Sequence, residues 1–211
     1  VAIAITHAHG DHIGGLDRVF EAVQAPIRCH PKLVKRLGVV VGEENVMKLR
    51  AGERIPVGGG VSLRVIFTPG HEADHVCYYL AQDRVMFTGD TVLGGSSSTV
   101  RDLADYMKSL EKLSRHRVEV ICPAHGPVVP KPGGSRLISW YIRHRNAREQ
   151  QVMAALQKGI LDVDGMVRDI YPKNLKKGLR HAAARNVSTH LDKLVKEKAV
   201  EEIPVTYRIK A

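Results

Sequence analysis

THAHGDHIGG, Thr6 to Gly15, places His7, His9, Asp11 and His12 within a few positions, after an apolar run and before a Gly-Gly pair. A lone histidine at the end of an apolar strand is ordinarily a structural residue. Three imidazoles and a carboxylate gathered there are spaced as metal ligands. The preceding run, Val1 to Ile5, reads as a strand, so the cluster sits in the loop that leaves it. A chain that opens inside such a strand predicts that further sequence belongs upstream.

Outward from this loop the same arrangement recurs. Leu16, Val19, Phe20 and Val23 repeat with helical spacing and Pro26 closes the segment. Ala25 to Cys29 predicts a short strand, Pro31 to Leu37 a short helix, and Val61 to Phe67 a strand ending at Thr68-Pro69-Gly70, with His71 directly beyond. Val76 to Leu80 and Arg84 to Phe87 flank Ala81-Gln82-Asp83 as a hairpin, and Thr88-Gly89-Asp90 follows. Residues 100 to 113 predict a helix with Leu103, Tyr106, Met107 and Leu110 on one face. Val118 to Cys122 then predicts a strand ending at Pro123-Ala124-His125-Gly126. Strand, polar loop and helix alternate as in an α/β architecture, with His or Asp just past strand ends, where loops on a rigid sheet carry chemistry.

Pro130 to Ser135, PKPGGS, marks a boundary between residues 1–132 and residues 133–211. Beyond it Leu137 to Leu156 predicts a long polar helix, and Val163 to Ile170, Lys176 to Arg185 and Val187 to Glu197 predict three short ones. The tail, VEEIPVTYRIKA, alternates as a small hairpin does. Three helices and a ribbon outline a winged helix, a module that docks on nucleic acid or protein.

Composition narrows the function. The 211 residues hold 3 cysteines, with no C-x-x-C spacing, against a disulfide scaffold or a cysteine-built zinc knuckle and in keeping with a reducing compartment. No stretch is long and apolar enough to span a bilayer, so no membrane partner is expected. The formal charge of +10 is unevenly placed: residues 1–130 hold 15 Lys/Arg and 14 Asp/Glu, residues 131–211 hold 17 and 8. The basic third is a candidate polyanion surface, or else a solvated face.

His7, His9, Asp11, His12, His71, Asp90 and His125 together supply the donors that two neighbouring divalent metals need, each at a strand end or in the loop after it. Imidazole and carboxylate without thiolate suit Zn²⁺ and, less tightly, Mn²⁺ or Fe. Asp11 and Asp90 are the candidate catalytic carboxylates. His30, His75, His116, His144, His181 and His190 stay outside this set, His75 being either a structural residue or one that positions a substrate or ligand.

THAHGDH, TPGH with His71, FTGD with Asp90 and PAHG with His125 resemble, in order, the motifs of the metallo-β-lactamase superfamily. Within it, GHEADH, TVLGG and YIRHRNAREQQ are similar to the β-lactamase-like protein 2 group and its microbial relatives. The resemblance implies an αββα sandwich followed by a winged-helix domain. It implies that His7, His9 and His71 bind one metal, that Asp11, His12 and His125 bind a second, and that Asp90 bridges two Zn²⁺ ions. Family members carry sequence before the His7 strand that forms much of the first sheet, and it is not present here. Asp90 stands where some true β-lactamases use cysteine, so antibiotic hydrolysis is not implied.

Such a centre lowers the pKa of a bridging water and leaves hydroxide as nucleophile toward a phosphoryl or carbonyl group. Selectivity must come from the surroundings. Gly94 to Thr99 predicts a loop running into a helix start, capped by Thr99 with Asp102, where an anion would be favoured. Arg143, Arg145, Arg148, Lys173, Lys176, Lys177, Arg180, Arg185, Lys193, Lys196 and Lys198 could track the phosphates of single-stranded RNA. The resemblance implies a metal-dependent endoribonuclease in a mitochondrial or cytoplasmic setting. A thioester hydrolase, acting on glutathione thioesters or polyketide acyl carriers, and a non-enzymatic binding module are the alternatives.

Overall fold

The computed structural model describes residues 2–203 and divides into two compact units, Val1–Arg145 and Asn146–Ala211. In the first, β1 (Ile3–Ala4), β2 (Ile27–Cys29) and β3 (Val46–Lys48) pair in parallel in that order. Parallel neighbours need crossovers. Helices α1 (Gly10–Ile13) and α2 (Leu16–Val23) supply the first and α3 (Val34–Val41) the second. Their apolar faces, with Leu16 and Leu37, close over Ile5, Ile27 and Cys29 of the sheet.

The second sheet runs β4 (Arg54–Gly58), β5 (Val61–Phe67), β6 (Val76–Leu80) and β7 (Val85–Gly89) antiparallel; β8 (Val120–Pro123) joins β7 in parallel after α4 (Leu103–Ser114). Strand β6, VCYYL, is apolar throughout because both its faces are covered. Cys77 and Tyr79 pack with Tyr106 and Leu110 of α4 and with Ile138 and Tyr141, while Val76 and Tyr78 pack with Ile55 and Val65. Tyr78 Oη donates to the Ile5 carbonyl (2.7 Å), and the Val76 amide to that of Thr6 (2.8 Å), tying one sheet to the other. This is the αββα sandwich.

Helix α5 (Gly134–Gln157) runs into the second unit, which holds α6 (Val163–Ile170) and α7 (Lys177–Lys196). Val152, Ala155, Met166, Val187 and Leu194 form its core. Asp162 caps α6 by accepting from the Gly165 amide at 2.7 Å. The expected pair Lys176–Arg185 and Val187–Glu197 is one continuous helix. Ala183, Val187, His190 and Leu194 keep a single buried stripe across the proposed break. The expected C-terminal hairpin falls largely on residues 204–211, outside the described residues.

Helix α4 starts later than expected. Its cap is Asp102, which accepts from the Asp105 amide at 2.9 Å, not Thr99. The amides of Arg101 and Asp102 are taken by the Gly70 carbonyl (2.8 and 3.0 Å), so the segment just after Thr99 does not offer them to an anion. Among the described residues no helix is long and apolar enough to cross a membrane.

Candidate metal centre

The chain leaving β1 carries His7 and His9 into α1, which presents Asp11 and His12. His71 follows β5, Asp90 follows β7 and His125 follows β8. The structure brings all seven together as two groups, His7, His9, His71 and Asp90, and Asp11, His12 and His125.

A tetrahedral ion with bonds of 2.0–2.1 Å separates its donors by about 3.3–3.4 Å. In the first group His7 Nε2 lies 3.0 Å and His71 Nε2 3.2 Å from His9 Nδ1. Asp90 Oδ2 is 3.4 Å from His71 Nε2 and 3.8 Å from His7 Nε2. In the second group Asp11 Oδ2 is 3.0 Å from His125 Nε2 and 3.7 Å from His12 Nε2. Asp90 Oδ1 stands 3.5 Å from His12 Nε2 and 3.6 Å from His125 Nε2. One carboxylate thus turns one oxygen to each group.

Three lone pairs converging at hydrogen-bond distance cannot satisfy one another, because His9 Nδ1 has at most one proton to give. His12 Nε2 and Asp90 Oδ1 are buried with no hydrogen-bond partner. Both facts fit a divalent cation in each group, which would use those lone pairs.

For four of the five rings the far side offers a partner that sets the tautomer. His71 Nδ1 donates to the Thr99 carbonyl (2.7 Å), leaving the Nε2 lone pair available to a metal. His9 Nε2 donates to Glu72 Oε1 (2.5 Å), leaving Nδ1, and Arg101 Nε holds the same carboxylate oxygen at 2.8 Å. With Nδ1 protonated on His7 and His12, the Thr6 hydroxyl accepts from both, at 3.1 and 3.3 Å. Burial, followed by the neighbouring His12, His71 and His9, lowers the pKa of His7 to about 3, so it stays a neutral donor. Burial also lowers that of His12. Asp11 is held below the usual carboxylate range, first by its own backbone amide and then by His12 and His125.

His75, completely buried, sits beneath Asp90. Its Nε2 accepts from the Asp90 amide (3.0 Å), so the proton is on Nδ1 and goes to Thr68 Oγ1 (2.8 Å). Gly89 makes this approach possible: its φ is +48°, and a Cβ there would lie 2.7 Å from His75 Nε2. The loop after Asp90 is held from below. Ser98 Oγ donates to the Asp90 carbonyl (2.5 Å), Tyr141 Oη to that of Ser96 (2.5 Å), and the buried Arg145 to that of Ser98 (2.6 Å).

Several expectations change here. Gly94 approaches neighbouring backbone rather than anything above the metals, since its Cβ would meet the Pro127 carbonyl at 1.9 Å. Arg145 is a buried support and not part of a surface track. Arg148 lies over the Tyr171 ring at 4.1 Å, and Lys193 is paired with Glu149 and Glu197. His30 packs on Phe67, His116 on Tyr79 and His144 on Trp140, away from the centre. Glu72, Thr6 and Arg101 join the site in the structure without belonging to the sequence pattern of candidate ligands. The only sequence signal for Glu72 was its place beside His71.

The family pattern described as "Metallo-beta-lactamase superfamily" matches residues 1–125, and "Beta-lactamase associated winged helix domain" matches residues 163–205. A beta-lactamase-like protein 2 homolog of Caenorhabditis elegans is 35% identical over 94% of this chain and 66% of its own length. That of Drosophila melanogaster is 34% identical over 92% and 68%. The chain thus spans about two thirds of these relatives. Among solved structures, a beta-lactamase domain protein from Burkholderia ambifaria superposes with a TM-score of 0.75 at 19% identity, covering 94% of this chain and 69% of its own. A metallo-beta-lactamase family protein from Thermus thermophilus gives 0.68 at 24% identity, covering 95% and 76%.

Proposed function

We propose, from the premise that this chain belongs to the metallo-beta-lactamase superfamily, that it is an endoribonuclease cleaving phosphodiester bonds of single-stranded RNA. The fold and the two ligand groups support a metal-dependent hydrolase. His7, His9, His71 and Asp90 would hold one cation and Asp11, His12, His125 and Asp90 the other. Zn²⁺ best suits these donors, with Mn²⁺ or iron as alternatives. Two such ions supply Lewis acidity and a water acidified toward neutrality.

The residues divide the remaining work by exposure. The side chains of His7 and His71 are buried, whereas those of Asp11 and His125 are 55% and 50% exposed. Substrate therefore approaches over the second group, where Asp11, kept ionised, can accept a proton. Asp90 fixes the spacing of the two groups through its two oxygens.

The observation that supports RNA is the placement of charge. Residues 131–211 carry a net +9, and Lys173, Lys176, Lys177, Arg180 and Arg185 of the second unit are exposed. Among the described residues these cations have no carboxylate partner, and such cations attract a phosphate backbone irrespective of sequence. The test is cleavage of end-labelled single-stranded RNA with and without chelator. Internal cuts that chelator abolishes are expected. A folded, metal-loaded protein that leaves RNA intact overturns the reading, and rapid turnover of glutathione or acyl-carrier thioesters in its place assigns the centre to a thioesterase.

A further inference from the structure

The second unit contains a cavity of about 290 Å³ that the metal chemistry does not use. It opens between the end of α6, the following turn and the start of α7, lined by Val167, Arg168, Tyr171, Lys173, Leu175 and Arg180, with Pro172 between them. Three of these are cations and none is an acid. Among the described residues Arg168, Lys173 and Arg180 form no ion pair, although the next residue, Asp169, is bound by Lys158 at 2.8 Å. A fourth cation, Arg148, lies over the Tyr171 ring at 4.1 Å.

Like charges gathered around one small cavity repel, and an anion seated among them relieves that repulsion. The rest of the lining is apolar or aromatic, which a bare inorganic anion does not need. Val167 is buried, and Leu175 and Tyr171 are half-buried. The volume is at the lower edge of small-molecule sites, roughly 300–1,000 Å³. That suits one flat group with its attached phosphate and excludes a duplex.

We propose that this cavity is a nucleotide-binding subsite, remote in sequence from the metal ligands, that seats one phosphate and its base from a single-stranded RNA. Arg168, Lys173 and Arg180 take the phosphate, and Tyr171 with Val167 and Leu175 takes the base. Phosphate contacts of this kind position a strand without reading sequence. In naming RNA as occupant the assignment rests on the function proposed above, but binding is separable from cleavage.

The full chain, freed of metal by chelator, is titrated into a fluorescently labelled uridine-only RNA and followed by anisotropy at several salt concentrations. Arg168→Gln with Arg180→Gln should weaken binding and reduce the log-log salt slope by about 1.4, or roughly 0.7 for each lost phosphate contact on a single strand. Tyr171→Leu should weaken binding by about five-fold or more with the salt slope unchanged, as loss of a base–aromatic contact does. Lys108→Gln with Arg115→Gln, an equal loss of charge in the first unit, should change neither. Uridine monophosphate should compete better than inorganic phosphate.

Equal effects of the two double variants would reduce the cavity to net charge and overturn the proposal. So would no RNA binding by the wild-type chain, or inorganic phosphate competing as well as the nucleotide while Tyr171→Leu binds normally. RNA that is bound here but never cut when metal is restored removes the endoribonuclease and leaves the subsite. RNA that is cut while all variants bind alike does the reverse.

Discussion

Replacing His75 by leucine keeps most of the buried volume and removes one acceptor and one donor. The acceptor is Nε2, 3.0 Å from the Asp90 amide, and the donor is Nδ1, 2.8 Å from Thr68 Oγ1. The amide belongs to the residue whose two carboxylate oxygens face both ligand groups. An orphaned buried N–H costs about 1–3 kcal/mol. The chain reduces that cost by turning the Asp90 peptide toward another acceptor, which moves the carboxylate. Groups that orient ligands without touching metal are worth about 10–100-fold in affinity, and both sites should lose it because Asp90 serves both. Glutamine can place an oxygen near Nε2 and should recover most of the affinity, whereas asparagine reaches only toward Thr68 and should not. Metal titration against a chromophoric competitor reads the two affinities, and urea unfolding of the metal-free variants reads stability separately. A folded leucine variant with both affinities unchanged, or one restored by asparagine rather than glutamine, would refute the argument.

Asp90→Asn, nearly isosteric but without charge, should reduce bound metal at both sites, and His116→Ala, whose ring packs on Tyr79, should leave it unchanged; elemental analysis showing two metals per chain in the asparagine variant would remove the bridging role. Glu72→Gln takes the carboxylate from His9 Nε2 and should weaken only the His7, His9 and His71 site, by about 10–100-fold, as a two-site titration can show. Stability of the metal-free protein should fall as pH drops below 6.5. His7, with its pKa lowered to about 3, and His12 and His75, also lowered, resist protons that the unfolded chain accepts, so the unfolded state binds more of them across that window. Urea midpoints that are flat from pH 7 to about 4 would contradict this.

The fold was legible where one pattern had one physical cause. The apolar run of β6 and the stripe of α4 each announce the surface they cover, and both were placed within a few residues. Short elements were harder. Strands β3 and β4 span 3 and 5 residues, mostly exposed, and their alternation is too brief to register. At the join in α7, Asn186 is a modest helix former, but the buried stripe that continues through Val187 keeps the helix unbroken. The start of α4 was misread because two good capping residues, Thr99 and Asp102, compete there. What decided between them was the Gly70 carbonyl, some 30 residues upstream by the numbering, taking the intervening amides.

The candidate metal ligands form a legible pattern for a related reason: a ligand must offer its own side-chain atom, so its residue type is constrained and its motif can be read. Those of their supports that act through backbone carbonyls obey no such constraint. His71 is oriented by the carbonyl of Thr99, and the Ser98 carbonyl is held by Arg145. Any residue type has a carbonyl, so nothing in the letters at positions 98 and 99 records the task. Arg145 illustrates the consequence. In sequence it is one of many arginines in a basic segment, and charge counting assigns it to the surface. In the structure it is 2% exposed, with its guanidinium 5.4 Å from the Tyr106 ring and a bond to backbone in place of a carboxylate partner. Around this buried charge the Ser98 carbonyl and the π face of Tyr106 stand in part for water. That environment is built jointly by α4, α5 and the loop after Asp90, elements that meet only once the sandwich has closed. Supports of this kind follow from the fold, whereas the candidate ligands they hold show as motifs before it.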